Sequence, residues 1–151
     1  MSTAKTTAPS QGLLPWALVP TLATLACASA SLDADSDRLD QRPLILDRTP
    51  AEAVTFLGQA FEDRTSWQVR ALRPEVGEVQ LVHFTGFFRF PDDVLIRIEE
   101  HPTGGVVIHA HSKSRYGFYD FGQNARNLQE LNKILRTRCA ALGVQCRSLG
   151  E

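Results

Sequence analysis

The sequence predicts an α+β fold, a four-stranded antiparallel meander with an N-terminal helix and a long C-terminal helix packed on one face. Three observations carry that expectation. Apolar residues recur at helical spacing between 49 and 63, alternate with polar ones in four stretches between 67 and 110, and return to helical spacing from 128 to 142.

Residues 1–11 are small, polar and Pro-containing, and read as a disordered lead-in. Residues 12–30 carry no charge, and three readings compete for them. A membrane span would be interrupted by Pro15 and Pro20. A secretory signal would place Lys5 ahead of the apolar run from Leu13 to Leu25, with Ala28-Ser29-Ala30 as a small-residue cleavage site. Thr24-Leu25-Ala26-Cys27 also resembles a bacterial lipoprotein acceptor, with Thr where Leu is favoured. The third reading is an apolar segment packed on the domain surface. Compartment follows from this choice: cytoplasmic or organelle interior if residues 12–30 are retained, periplasmic or lumenal if they are removed. Any membrane association would run through the same residues.

Asp33, Asp35, Asp37 and Asp40 then make residues 31–48 polar and acidic, which reads as a solvated linker. The expected organisation is a disordered or targeting segment over 1–19, an apolar then acidic lead-in over 20–43, and a single α+β domain over 44–151. Thr49-Pro50-Ala51-Glu52 is a helix start, with Thr as N-cap, Pro at the first helical position and Glu three residues after the cap. Val54, Leu57 and Phe61 follow as one apolar stripe. The period then switches to two at Trp67, Val69 and Ala71, and continues from Val79 to Phe84. Gly86 is expected to mark a bulge before Phe88 and Phe90, and Pro91-Asp92 a turn. Val94, Ile96 and Ile98 make the third strand; Thr103-Gly104-Gly105 turns into the fourth, with Val106, Ile108 and Ala110 facing inward. Leu128, Leu131, Leu135, Cys139 and Leu142 form the stripe of the last helix, closed by Gly143.

With 151 residues the chain suits one domain, and it needs neither metal nor disulfide to fold. Sixteen Lys and Arg against seventeen Asp and Glu offer no footing for a nucleic-acid binder. Three cysteines are too few for a disulfide scaffold and lack zinc-site spacing.

From Phe90 to Asn124 the chain holds Phe90-Pro91-Asp92-Asp93, then Ser112-x-Ser114-Arg115-x-Gly117-x-x-Asp120-x-Gly122-x-Asn124. This resembles the family catalogued as domain of unknown function 1499, which shows Phe-x-Asp-Asp before a strand and the same Ser-to-Asn pattern ahead of its last helix. The resemblance covers roughly residues 20 to 138. The family often opens with Pro-Cys-Pro-x-x-Pro-Asn-Cys-Val-Ser-Ser, of which only Pro20, Cys27 and Ser29 stand here. That alignment implies that residues 20–30 belong to the domain, and that the family's two opening cysteines do not pair in this chain. It implies no reaction.

The motif residues admit a bland and a sharp chemistry. Asp92 and Asp93 serve a turn or supply a ligand or acid/base group; as neighbours on an extended chain they point to opposite faces, so only one aims into any site. Arg115 offers a planar fork for a carboxylate, with Asp93 or Asp120 as internal partner, or for an anionic ligand. Gly117 and Gly122 bracket Asp120 in a loop that Asp120 and Asn124 hold shut, or that presents backbone N–H groups to an anion. Ser112 and Ser114 lack a nucleophile elbow. His109 and His111 share a strand face and would need His83 or an Asp to make a metal site. Cys139 and Cys146 flank the helix end and pair only if the chain doubles back in an oxidising compartment. Arg126, Lys133, Arg136, Arg138 and Arg147 against Glu130 alone make the last helix region basic.

The expected function is a non-catalytic small binding or interaction domain, an accessory subunit or ligand-binding protein, with Phe87, Arg97, His109 and His111 on the open sheet face. Its partner is a protein or small ligand; no cofactor, metal or nucleic acid is expected, and no catalytic residue is assigned. The alternative is a small hydrolase or anion-binding enzyme using Asp93, Arg115 and Asp120.

Overall fold

The computed structural model describes residues 28–86, 89–116 and 121–151. In chain order these form β1 (Ser29–Ser31), β2 (Leu44–Leu46), α1 (Pro50–Phe61), β3 (Trp67–Arg73), β4 (Glu78–Thr85), β5 (Phe90–Glu100), β6 (Val106–Ser114), α2 (Gln123–Leu142) and β7 (Cys146–Ser148). The expected four-stranded meander with a helix at its N-terminal end is corrected. Among the described residues the sheet has seven antiparallel strands in the order β3-β4-β5-β6-β2-β7, with β1 also on β6, and two strands precede α1.

The three added strands are three residues long, too short to display a period of two. Leu44, Ile45 and Leu46 of β2 are all buried, so alternation is absent there altogether. Ser29–Ser31 pair with Lys113–His111, and Leu44–Leu46 with Ile108–Val106, so β1 and β2 share one edge of β6.

The inward phase of the strands sets the core. Val79 and Leu81, Val94, Ile96 and Ile98, Val106, Ile108 and Ala110 join Leu44 and Leu46 beneath both helices. Helix α1 begins at a formed capping box: Thr49 Oγ1 accepts from the Glu52 N–H, and Glu52 Oε2 accepts from the Thr49 N–H at 2.9 Å. It lies so close to β3 that a Cβ on Gly58 would come within 2.8 Å of Leu72 Cδ1. Helix α2 packs Leu128, Leu131, Leu135 and Cys139 inward, but its stripe stops there, because Leu142 is exposed.

Two local expectations are corrected. Pro91 and Asp92 lie inside β5, and the β4–β5 chain reversal runs from Gly86 to Arg89, where the Arg89 N–H donates to the Gly86 carbonyl. Gly86, at φ 60°, is a turn residue and not a bulge. The irregularity in the sheet falls between Val69 and Ala71.

The acidic stretch after Ser31 is folded against the domain and is not a free linker. Leu32 is buried and its N–H donates to the Ala110 carbonyl, while Asn132 Nδ2 of α2 donates to the carbonyls of Asp40 and Arg42. Ser29 and Ala30, read above as part of a cleavage site, are strand residues. Most of the uncharged segment, together with Phe87, Phe88, Gly117 and Asp120, lies outside the described residues. Among those described, no helix is long and apolar enough to cross a membrane.

Candidate functional site

Strand alternation divides the motif residues between two faces. On the inner face the register sets Trp67 opposite His83, His83 opposite Asp92, and Asp92 opposite Ser114. Ser112, two residues before Ser114, shares this face. The first turns of α2 lie above these residues and close a buried polar network. Ser112 Oγ donates to Asn124 Oδ1 at 2.7 Å. Asn124 Nδ2 donates to Ser114 Oγ and to the Ala28 carbonyl, each at 3.0 Å. Asn127 Nδ2 donates to Asp92 Oδ2 at 2.8 Å and lies 3.2 Å from Ser112 Oγ, while its Oδ1 accepts from Gln123 Nε2.

These bonds define what the residues can do. Asp92, Ser112, Ser114, Asn124 and Asn127 are all buried. Among the described residues the two serine hydroxyls are bonded to the Asn124 and Asn127 side-chain amides and not to an imidazole. Satisfied polar groups of this kind fix the seating of a helix on a sheet, because leaving any one of them unpaired in the interior is costly.

At the Trp67 end of the row, Trp67 Nε1 donates to Glu130 Oε1 at 3.0 Å, and His83 Nε2 lies 3.5 Å from Glu130 Oε2. The Trp67 ring packs between those of Phe61 and His83, tilted 49° and 48° to them, with centroids at 4.9 and 4.4 Å. His83 Nδ1 is buried and has no hydrogen-bond partner among the described residues. Burial pushes the His83 imidazole below its ordinary range, opposed by the Glu130 and Asp92 carboxylates and by Asn127. The ring is therefore neutral in the folded chain near pH 7.

The sign of the pH effect follows. As pH falls through about 6.5 the unfolded chain gains a proton at His83 before the folded chain does, so stability held above that pH is lost on acidification. Urea midpoints are expected to fall between pH 7.5 and 5.5, and His83→Gln to flatten that part of the profile. An unchanged slope in the variant would place the pH dependence elsewhere.

The outer face carries the rest. Asp93, adjacent to Asp92, points out of the sheet and forms a two-bond ion pair with Arg115: Nε to Oδ2 at 2.8 Å and Nη2 to Oδ1 at 2.5 Å. The Asp93 carboxylate raises the Arg115 guanidinium further above its ordinary range. Both side chains are partly exposed, and they border a shallow groove of about 560 Å³ that also touches Arg70, Gln80 and Leu95.

A second groove, of about 390 Å³, runs beside it over Ser31, Leu32, Leu95, Arg97, His109 and His111. Arg97 stands opposite His109 across the β5–β6 ladder, and Leu95 opposite His111. Ser31 Oγ and His111 Nδ1 are 2.8 Å apart, and His109 Nε2 lies 3.7 Å from Glu99 Oε2. Arg97 has no ion-pair partner among the described residues.

His83 does not join His109 and His111. The inward phase of β4 falls on odd numbers and that of β6 on even ones, so the three imidazoles lie on opposite faces. Gly122 precedes α2 in the left-handed region at φ 75°, next to Phe121 at φ 48°, and the Arg126 guanidinium donates to the Phe121 carbonyl. Asp120 and Gly117, between which and Asn124 the loop was expected to close, lie outside the described residues.

Sequence reasoning missed Asn127, the inward His83, Trp67 and Glu130 as one cluster. Two signals were present: Asn124 and Asn127 share the helical phase of Leu128 and Leu131, and His83 shares the strand phase of Val79 and Leu81.

A family model described as protein of unknown function (DUF1499) matches residues 17–135. The match spans every motif residue on both faces and stops before the last turns of α2 and β7. No curated protein matches the chain.

Proposed function

The chain belongs to the DUF1499 family of proteins of unknown function, and from that premise we propose that it is a non-catalytic binding domain, an accessory or ligand-binding protein that takes its partner on the outer face of the sheet. The observation that carries this reading is Arg97. It stands on the face away from both helices, without an ionic partner among the described residues, beside two imidazoles and the side chain of Leu95. A guanidinium flanked in this way suits a carboxylate or other anionic group attached to an apolar body.

The enzyme alternative has less support. Asp93 and Arg115 neutralise one another in an exposed pair, and the motif hydroxyls are bonded inside the fold. Neither arrangement offers a poised nucleophile with its base.

Native mass spectrometry of the full chain, purified gently from its own source, tests the reading. The wild-type chain is expected to carry a bound small molecule or partner subunit. Arg97→Ala should lower the bound fraction about tenfold or more, the worth of a charge-assisted hydrogen bond. A bound species that survives Arg97→Ala but leaves with Arg115→Ala would move the site to the other groove. Turnover of a substrate that depends on Asp93 and Arg115 would restore the enzyme.

A further inference from the structure

Cys139 and Cys146 are seven positions apart, and the fold brings them face to face. Cys139 is on the buried stripe of α2, near its C-terminal end. Gly143, at φ 65°, then reverses the chain, and the Val144 N–H donates back to the Cys139 carbonyl at 2.9 Å. Strand β7 follows, with Cys146 opposite Leu46 and Ser148 opposite Leu44. Leu44 and Leu46 face the core, so Cys146 faces it too, toward α2. Both side chains meet the same apolar core, with Cys139 buried within it and Cys146 half-buried against it.

We propose that Cys139 and Cys146 form a reversible dithiol–disulfide pair, oxidised by exchange with a small-molecule disulfide, and that closing it clamps edge strand β7 to α2. The pair is a modification site in the part of the chain that the family match leaves out.

The chemistry has an order set by access. Cys146 is the more exposed thiol, and the neighbouring Cys139 thiol together with Arg136 lowers its pKa, while burial and Glu151 oppose this. Cys139 moves the other way, raised by the neighbouring Cys146 thiol and by its burial. The Cys146 thiolate, having released its proton to solvent, attacks one sulfur of the incoming disulfide. A mixed disulfide forms and the first small thiolate leaves, taking up a proton from water. Cys139 then loses its proton and its sulfur attacks Cys146 Sγ. The Cys139–Cys146 bond forms, the mixed bond breaks, and the second small thiol leaves with that proton. In sum the protein dithiol loses two electrons and two protons, and one small-molecule disulfide becomes two thiols.

Glutathione disulfide is the probe. The reduced full chain is equilibrated with it, quenched in acid, alkylated and cut with trypsin after Arg138 and Arg147. The peptide spanning residues 139–147 contains both cysteines and no third. It is expected to be lighter by two hydrogens and to take no alkyl group, and reduction should restore two alkylatable thiols. The oxidised chain should also melt at a higher temperature than the reduced one, as a closed loop requires. In Cys139→Ser, Cys146 should stop at a stable glutathione adduct. A wild-type peptide that stays fully alkylatable, ends as a glutathione adduct, or is joined to Cys27 would overturn the proposal.

Discussion

Asn127→Ala is expected to destabilise the chain by about 3 kcal/mol, more than any surface change in the motif. One amide group holds three partners: its Nδ2 serves the Asp92 carboxylate and lies near the Ser112 hydroxyl, and its Oδ1 accepts from Gln123. Removing it strips a donor from a carboxylate that is only 3 % exposed, and water has no ready route to replace it. The loss is greater than that of an ordinary hydrogen bond because the group left behind is a buried acceptor without its partner. Urea unfolding should show a lower midpoint with an unchanged slope, the mark of a native state that is weakened but still folds to the same extent. An effect below about 1 kcal/mol would mean that the network relaxes around the gap and does not seat α2.

Much of the helical content was legible because its signals are local. Thr49 and Glu52 specify their capping box within four residues, and Gly143 ends α2 where a left-handed residue is needed. The sheet was less legible, for a physical reason. Alternation reports a strand only when one face is wet and the strand is long enough to show it; β1, β2 and β7 are too short, and β2 is buried on both faces as well. Two of them depend on the edge of β6, which offers Val106–Ile108 to β2 and His111–Lys113 to β1, and β7 in turn depends on β2. Nothing in Ser29-Ala30-Ser31 alone announces that pairing.

The candidate sites followed the same division. The opposite aim of Asp92 and Asp93 was readable from their adjacency, whereas reading Pro91-Asp92 as a turn hid the strand that enforces it. The Asp93–Arg115 pair was among the expected internal pairings. The partners of Asp92 were not foreseen, because a polar residue in an amphipathic helix ordinarily marks the wet face. Asn127 breaks that habit, sitting in phase with Leu128 and Leu131 under a sheet whose inner face turns polar at its motif end.

One run of polar residues does two jobs, building the core with one face and dressing the surface with the other. Parallel unfolding of Asp92→Ala and Asp93→Ala tests it most directly, since the two carboxylates are neighbours in sequence and differ in face alone. Asp92→Ala removes the acceptor of Asn127 Nδ2 and leaves a gap beneath α2, for an expected loss of about 2–3 kcal/mol. Asp93→Ala breaks only an exposed ion pair with Arg115, for an expected loss under about 1 kcal/mol that shrinks further in added salt. The larger loss is expected at Asp92. Equal losses, or a larger loss at Asp93, would contradict the division of the motif by face and return the Asp93–Arg115 side to the centre of the protein's architecture.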